Sequence, residues 1–529
     1  MISLHLSTSP GKSLKSLSLH IVSGVGLLAV LFLHLEHLLK LWPFTTDDAY
    51  ISFRYAKNLA MYGELNWNLG ATPPVEGYSN FLWVLIAALF EYLGADTVYW
   101  MKWLGVSSCL GTVVLSYLIV QRLCNPIVGL LVPVLLLSLN GFHFWAVSGL
   151  ETPFFVFLVL LTVFLLVRLD PEKSNFLIWS ALGVIYFLIA VIHLEGAIFG
   201  ASALFWGVLW LHRGPELPLW SRGAWLQPMA KGILASAVIF FSLLLVYHIW
   251  HFSYFGHLLP NTFYCKAKAV FSGKPSNDLL KMLLSIGAVF LGISCVGLQK
   301  RDWLTWHCVS LVAAYSILLW NKDSIVAHFN RHSLAVVCYL MVVATIQLWA
   351  VCEEACKAQE VPSVVLFFAF AGGLLMLFPV QQEPRKKLDI RAAKYSDKIK
   401  VRTEIGNWLK TRVNKGEQTA VGDCGLIPYI FPGKVIDMYC LNNYQMVHKF
   451  GRSAIRYTDY MMRVQRPEWL VVRSDRHDTP FNIVYHIIRH PMFRSYEERF
   501  AYRGKRLYYR VYQRVKRKIT FNFMKELSK

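Results

Sequence analysis

Charged residues are scarce in this chain of 529 residues: Asp, Glu, Lys and Arg together make up only 16% of it. A soluble protein of this length would carry roughly 25% charged residues, so a fully water-soluble chain is excluded. The sequence also has no CxxC pair, and no small-residue cleavage site follows its first apolar stretch. A cysteine framework and a cleaved signal peptide are therefore not predicted.

Hydrophobic residues make up 55% of the sequence and occur in blocks over the first 380 positions. Backbone groups find no water in the hydrocarbon layer, so such blocks must be helical, and a full crossing takes roughly 20 apolar residues. We count 11 or 12 blocks. The sequence predicts an α-helical polytopic membrane domain over residues 1–382, with about 11 transmembrane helices. Lys12 and Lys15 before the first block favour a cytoplasmic N-terminus.

The remaining residues, 383–529, are here called the tail. They contain 32 Lys and Arg against 14 Asp and Glu, a net charge of +18 out of +21 for the whole chain. No nucleic-acid motif accompanies this charge, which favours a basic domain beside anionic lipid headgroups. Strand-like runs at 418–422, 434–438, 469–473 and 506–512 predict a soluble α/β domain. Cys424 and Cys440 are candidates for a disulfide in an oxidising compartment.

The longest loop of the membrane domain, residues 43–80, is here called the first loop. Loops of this length are usually functional, and this one carries Asp47-Asp48 before a helical pattern of Ile51, Tyr55, Leu59 and Tyr62. The pattern predicts a helix along the membrane surface, capped by Thr46 or Asp47. Asp47 and Arg54 are two turns apart on one face, so the arginine is expected to keep the carboxylate ionised. Asp47 and Asp48 are candidates for a catalytic base, with helix capping as the competing role.

Other candidate residues lie between apolar blocks, where polar groups are costly and functional roles are common. Acidic residues at such positions suit substrate hydroxyls, and arginine and lysine suit phosphate. Interfacial anchoring is the competing role for the cations. The candidates for substrate binding are Glu76, Tyr78, Glu151, Glu195, Asn261, Lys266, Lys268, Arg331 and His332.

Five ordered motifs resemble the membrane-embedded glycosyltransferases of the GT-C fold. They are DDAYISFRYAKNL, PVEGYSNFLW, SGLET, YFGHLLPNTFYCKAK and the tail's VGDCGLIPYIFPGKVIDMYCLNN with RPEWLVV. The likeness spans residues 45–475 and is greatest to the bacterial branch that contains the mycobacterial terminal arabinofuranosyltransferase.

This resemblance implies a hexosyl- or pentosyltransferase that uses a polyprenyl-phosphate sugar donor and a glycan or glycolipid acceptor. It also implies a location in the bacterial inner membrane, with the active site and the tail on the extracytoplasmic side. An Asp of the first loop, Asp47 or Asp48, would act as the base of an inverting transfer or hold a divalent cation such as Mg or Mn. Phosphate stabilisation would fall to Lys266, Lys268 and Arg331.

Two other classes of function compete with this one. A transporter or flippase of a polar or lipid-linked solute would show paired half-helices and an internal repeat, and neither pattern is evident in the sequence. A non-catalytic partner in envelope assembly is the other alternative. Asp48→Ala distinguishes them, because only an enzyme depends on a base at this position.

Overall fold

The structure, a computed structural model, describes most of the chain. The described residues are 10–169, 175–211, 228–266, 290–294, 303–319, 331–356, 363–380, 385–414, 416–431, 433–474, 482–504 and 508–515. Lys268, one of the residues predicted to bind the donor phosphate, lies outside these ranges.

Helices account for almost all of the described residues before the tail. They are α1 (Pro10–Leu41), α2 (Ala49–Tyr62), α3 (Phe81–Tyr92), α4 (Thr97–Leu123), α5 (Leu131–Ser138), α6 (Asn140–Ala146), α7 (Thr152–Val167), α8 (Phe176–Ile192), α9 (Ala197–Leu211), α10 (Pro228–Phe255), α11 (Asn261–Lys266), α12 (Trp303–Leu319), α13 (Leu334–Cys356) and α14 (Ser363–Val380). Short 3-10 turns precede α5 and separate α8 from α9, at Val128–Leu130 and Leu194–Gly196.

Four of these helices are long and apolar enough to cross a membrane: α1 from Leu17 onward, α4, α10 and α13. A fifth crossing results if Val128–Ser138 and α6, which meet at an angle of 73°, form one broken span. Six further apolar helices have 10–17 residues over the part that the structure describes, less than the roughly 20 of a full crossing. The predicted count of about 11 spans is therefore not confirmed.

The long helices differ in how deeply they are packed. The apolar window of α13 is 78% buried, whereas that of α1 is only 17% buried. Side chains such as Leu28, Phe32 and Val246 are left exposed on α1 and α10. So many exposed apolar side chains are typical of helices that face lipid, so the helical part is that of an integral membrane protein. The most deeply buried of its long helices, α13, lies at the centre.

The tail begins with the long helix α15 (Arg385–Arg412) and continues as an α/β domain. Its strands are β1 (Gln418–Val421), β2 (Lys434–Asp437), β3 (Trp469–Ser474), β4 (Tyr496–Arg503) and β5 (Tyr508–Arg514), and its helices are α16 (Leu426–Ile430), α17 (Ala454–Tyr460) and α18 (Asn482–Arg489). The five strands form one sheet in the order β2-β1-β3-β5-β4. The first three strands are parallel, and β5 and β4 are antiparallel to their neighbours.

Four of these five strands were predicted from the sequence. The strand β4 was missed because Glu497, Glu498 and Arg499 face solvent at this edge of the sheet, and charge of this density hides the alternating pattern. Charged residues are the usual means of protecting an exposed edge.

The predicted Cys424–Cys440 pairing is wrong. Cys440 forms a disulfide with Cys265 at the end of α11, with 5.5 Å between their Cα atoms, and Cys424 is a free, buried thiol. The sequence offered no geometric reason to prefer Cys265, which lies 175 residues away from its partner.

The helix predicted after the acidic pair is present as α2, but it does not lie exposed on a surface. Nine of its 14 residues are buried, because the tail covers the side of α2 that faces away from the membrane helices. The predicted caps are also wrong: the residue before the first helical position is Asp48, and its side chain makes no capping hydrogen bond.

Candidate active site

The two residues of the acidic pair at the start of α2 differ in their surroundings. Adjacent helical positions point about 100° apart, so Asp47 faces the tail while Asp48 lies at the helix start on the exposed side. Ser52, one turn after Asp48 and on the same face, donates a hydrogen bond of 3.0 Å to Asn80 at the entry to α3. The helix therefore presents one polar face to the tail and another to the membrane helices.

Asp47 is held by two groups of the tail. Its Oδ1 atom accepts a hydrogen bond of 3.0 Å from the backbone N–H of Leu426, the first residue of α16, and lies 3.4 Å from Nε of Arg402 on α15. Burial raises the pKa of Asp47 above its ordinary value, and the charge of Arg402 opposes this rise. The contact is close enough that a Cβ atom on Gly425 would meet the Asp47 carbonyl oxygen at 2.0 Å.

Arg54 does not pair with Asp47, and the predicted ion pair is wrong. The buried guanidinium donates to the carbonyl oxygens of Trp67, Phe431 and Gly433 at 3.0 Å each. It also contacts the Pro428 carbonyl and the Asn68 side chain. All five acceptors are neutral, so Arg54 joins the first loop to the tail and does not set the charge state of the acidic pair.

The role predicted for Arg54 is filled by Arg402. Besides facing Asp47, it donates to Oδ2 of Asp423 at 2.9 and 2.8 Å, and Asp423 also accepts from Arg473 and Tyr509. Burial alone would raise the pKa of Asp423, but Arg402 and Arg473 outweigh it and hold it at about 2. Asp423 follows β1 and Arg473 lies on β3, so this group of charges lies at the carboxyl ends of the parallel strands.

On the other side of α2, side chains from five segments of the chain meet in one largely buried group, here called the polar cluster. Its members are Ser52, Asn80, Glu151, Arg331, His193, Glu195 and His332. The group adjoins the start of α2 directly, because the backbone N–H of Thr46 donates to the Ser148 carbonyl at 3.0 Å. A Cβ atom on Gly149 would lie 3.1 Å from Cβ of Ala49.

Glu151 is the centre of the polar cluster. It accepts from Nδ2 of Asn80 at 2.7 Å and from Nη2 of Arg331 at 2.8 Å, and Arg331 also donates through Nε to Thr152 at 3.2 Å. Burial would raise the pKa of Glu151, but Arg331, His193 and Asn80 lower it below its ordinary value. The carboxylate is thus kept ionised and fixed in orientation.

The far end of the polar cluster has the composition of a metal site. His193 closes α8, Glu195 lies in the 3-10 turn that follows, and His332 lies just before α13. One ligand atom of each residue lies within 4.8 Å of the other two. Among the residues that the structure describes, this is the group of three metal-ligating side chains with such geometry, and neither Asp47 nor Asp48 belongs to it.

Glu76 lies beside a small cavity between the first loop and α10. Oε2 of Glu76 is 2.6 Å from Nε2 of His251 on α10. Burial raises the pKa of Glu76, and the contact with His251 opposes the rise. The cavity has room for about 50 Å³ and is lined by Glu76, Ser79, Tyr247, His248, His251 and Pro260, among others. Tyr78 is buried against the ring of Tyr55.

Asn261 and Lys266 both belong to α11, which adjoins the tail. The side-chain amide of Asn261 donates to the carbonyl oxygens of Cys440 and Leu441 at 2.7 and 2.8 Å, and Lys266 is exposed next to the disulfide of Cys265. Their roles in substrate binding stay predictions.

Sequence reasoning missed three residues of this region. Lys102, on α4, reaches the Phe44 carbonyl and the Thr45 hydroxyl at 3.0 and 3.2 Å, and a lysine inside an apolar block was the signal for it. Asn80 belongs to a motif that was noticed for its neighbour Glu76. Arg402 carries no local signal, since it is one of many cations on a charged helix.

Comparisons with known proteins agree with this architecture. Residues 389–518 match a domain of unknown function, DUF8728, and none of the curated protein sequences compared with the chain matches it. Among solved structures, ArnT from Cupriavidus metallidurans bound to undecaprenyl phosphate has a TM-score of 0.58 at 11% identity, with 93% of this chain and 97% of ArnT covered.

A second similar structure is AglB, the archaeal oligosaccharyltransferase of Archaeoglobus fulgidus, in complex with an inhibitory peptide and a dolichol-phosphate. Its TM-score is 0.54 at 11% identity, over 94% of this chain and 75% of AglB. The same enzyme in complex with Zn and sulfate has a TM-score of 0.54 at 10% identity, over 91% of this chain and 72% of the other. These neighbours are GT-C fold glycosyltransferases.

The chain has the GT-C fold. The resemblance found in the sequence motifs is confirmed at this level, and the arabinofuranosyltransferase branch is not. Within the GT-C fold of this chain, the acidic pair and the polar cluster lie on the same side of the helical domain as the tail, since α2 contacts both.

Proposed function

We propose that this GT-C protein is a hexosyl- or pentosyltransferase that moves a sugar from a polyprenyl-phosphate donor to a glycan or glycolipid acceptor. Fold neighbours support a lipid-phosphate donor: one ArnT structure holds undecaprenyl phosphate and one AglB structure holds dolichol-phosphate. The observation that supports the proposal is the ion pair of Glu151 and Arg331, which adjoins Asn80 and Ser52, one helical turn after Asp48.

Asp48 is the residue that we assign as the base. Asp47 is engaged by the Leu426 N–H and faces Arg402, whereas Asp48 is exposed and shares the face of Ser52, toward the polar cluster. An exposed carboxylate can approach an acceptor hydroxyl. Asp47 is then a positioning residue that fixes the start of α2 against the tail.

The proposed transfer is an inverting displacement. The acceptor oxygen attacks the anomeric carbon, Asp48 takes the proton of the hydroxyl, and the bond from the anomeric carbon to the phosphate oxygen breaks. The electron pair leaves with the polyprenyl phosphate, whose charge needs nearby cations. We assign this role to Arg331 and Lys266, with Arg331 oriented by Glu151 and Thr152.

The divalent Mg or Mn ion expected beside the acidic pair has little support from these side chains. Asp47 already accepts from a backbone N–H and faces a guanidinium, which disfavours a cation on the same oxygen. We therefore derive the transfer from the residues of the chain alone.

We also propose that the first loop, α11 and the tail face the extracytoplasmic side of a bacterial inner membrane, within the cell envelope. The Cys265–Cys440 disulfide between α11 and the tail supports this orientation, because disulfides persist in oxidising compartments. Peptide mass spectrometry of the protein isolated with an alkylating agent should find the two cysteines linked. Two alkylated cysteines would contradict the orientation.

The sugar-transfer proposal is tested with the purified full-length protein in nanodiscs. We expect mass spectrometry of co-purified lipid to find a polyprenyl-phosphate sugar, and its transfer rate to fall by about 10²–10⁴ in Asp48→Asn. Asp459→Asn is the matched control, since Asp459 lies on the tail surface with 54% of its side chain exposed. A normally expressed Asp48→Asn variant with the wild-type rate would exclude the assignment of Asp48. A transporter or a scaffold would show no sugar transfer even in the wild type.

A further inference from the structure

We propose that His193, Glu195 and His332 bind a divalent transition metal ion of the zinc class. This inference goes beyond sugar transfer and does not depend on it, because metal content is measured without any reaction. The site lies at the end of the polar cluster that points away from α2, beyond Ser52, Asn80 and Glu151.

Two segments distant in sequence form the site. Nδ1 of His193 is 2.6 Å from Oε2 of Glu195, and Nδ1 of His332 is 3.2 Å from Oε1 of the same carboxylate. Each carboxylate oxygen thus faces one imidazole nitrogen. All three side chains are at most 12% exposed, so the arrangement is a built interior feature and not a surface coincidence.

The spacing is close to that of a tetrahedral site. Zinc binds imidazole nitrogen and carboxylate oxygen at roughly 2.0–2.2 Å, which places neighbouring tetrahedral ligands about 3.3 Å apart. The three ligand atoms lie within 4.8 Å of one another, so an ion requires only side-chain shifts of about an ångström or less. Zinc sites in proteins include sets of two histidines and one glutamate, in which the fourth position is open to water or to an anionic oxygen.

The neighbours of the site support the same choice of metal. Oε1 of Glu151 lies 3.7 Å from Nε2 of His193, on the side of the ring away from Glu195. At this distance the contact is electrostatic, and a carboxylate on this side of a metal-binding histidine raises the basicity of the ligand nitrogen. Glu151 is itself held by Asn80 and Arg331. Hard cations such as Mg²⁺ and Ca²⁺ prefer oxygen ligands throughout, so two imidazoles favour zinc and its neighbours in the periodic table.

The alternative is a hydrogen-bonded His–Glu–His group that holds a proton and no metal. Full-length protein in detergent, stripped with a chelator and re-equilibrated with zinc chloride, distinguishes the two by elemental analysis after desalting. We expect about one zinc per chain in the wild type and at least a tenfold lower content in His332→Gln. The matched control, His486→Gln, makes the same change on the tail helix α18 and should keep the wild-type content.

Two further measurements distinguish loss of the metal site from misfolding of a variant. Glu195→Gln replaces one side-chain oxygen by an NH₂ group. We expect added zinc to raise the melting temperature of the wild type but not that of the Glu195→Gln variant. Cobalt in place of zinc should give the visible absorption of a tetrahedral ion in the wild type and not in this variant. A wild type that binds no zinc would overturn the proposal. Equal zinc in the wild type, His332→Gln and Glu195→Gln would overturn it too, because the ion would then lie elsewhere.

Discussion

Asp47, two residues before α2, and Arg54, on α2, hold opposite ends of the same short tail helix. Asp47 accepts from the first backbone N–H of α16, and Arg54 donates to the carbonyl oxygen of Phe431 just after its last residue. A carboxylate at the amino end and a guanidinium at the carboxyl end match the polarity of helical backbone groups. The pair therefore fixes both the position and the direction of the tail on the first loop.

Arg54→Lys should loosen the tail. A lysine ammonium cannot reach all of the carbonyls that the fork of the guanidinium satisfies, and each buried carbonyl left without a donor costs about 1–3 kcal/mol. We expect a lower melting temperature and faster proteolysis within the tail. Arg456→Lys, the same change at an exposed position of α17, is the control. Equal melting temperatures for both variants and the wild type would contradict the role of Arg54 in docking.

Gly425→Ala should displace α16 from α2, because the new Cβ atom would meet the Asp47 carbonyl oxygen at 2.0 Å and its Cγ at 2.5 Å. Overpacking of this kind costs about 1–3 kcal/mol. Gly422→Ala is a control in the same loop, since its Cβ would touch only a ring carbon of Tyr439 at 3.5 Å. We expect a lower melting temperature for Gly425→Ala than for Gly422→Ala. The reverse order would contradict the role of the close contact between Gly425 and Asp47.

Asp423 should make the stability of the protein fall in acid. Its pKa is lowered from 3.8 to about 2 in the folded chain, so the folded state favours the ionised form. This contribution, about 2 kcal/mol, is complete above pH 4 and is lost as the pH falls toward 2. Melting curves from pH 6 to pH 2.5 should show the loss in the wild type.

The comparison variant for this experiment is Asp423→Asn. It should melt lower than the wild type at pH 6, and the gap between the two should narrow toward pH 2.5, whereas Asp459→Asn on the tail surface should follow the wild type. A constant gap between Asp423→Asn and the wild type over the whole pH range would show that Asp423 acts without its charge.

Arg331→Lys tests the phosphate contact of the sugar-transfer proposal. The guanidinium of Arg331 can bind the donor phosphate and Glu151 at the same time, and a lysine ammonium cannot match this geometry. We therefore expect the apparent KM for the donor to rise about tenfold, with the protein still folded. Arg456→Lys again provides the control. An unchanged KM for the donor would contradict the phosphate contact. Arg331 would then serve only as an interfacial anchor that binds Glu151 and Thr152.

Much of the fold follows from local patterns in the sequence. Apolar blocks predicted the helices, and short apolar runs predicted β1, β2, β3 and β5, because period and composition are local properties. The number of crossings was not predictable in this way, since blocks such as Phe81–Tyr92 are too short to span alone and their role depends on neighbouring helices.

The site was predictable only in part, for a related reason. Glu151, Glu195, Arg331 and His332 were recognised one by one as polar groups among apolar residues. Their convergence was not, because it depends on the packing of α7, α8 and α13. The partner of Asp47 was assigned to Arg54 from helical spacing, which gives the face of a helix but not the direction of a long side chain. Arg402 reaches Asp47 from a helix about 350 residues later.

The topology of the tail sheet gives the contact between Asp47 and the tail a particular place. Parallel α/β sheets bind their ligands outside the carboxyl ends of the strands, where the strand order reverses, and here that place lies between β1 and β3. Asp423 and Arg473 line it, and the group that approaches them is Asp47 of the chain's own first loop. The first loop thus places the carboxylate of Asp47, through Arg402, at the edge where such sheets usually hold a ligand.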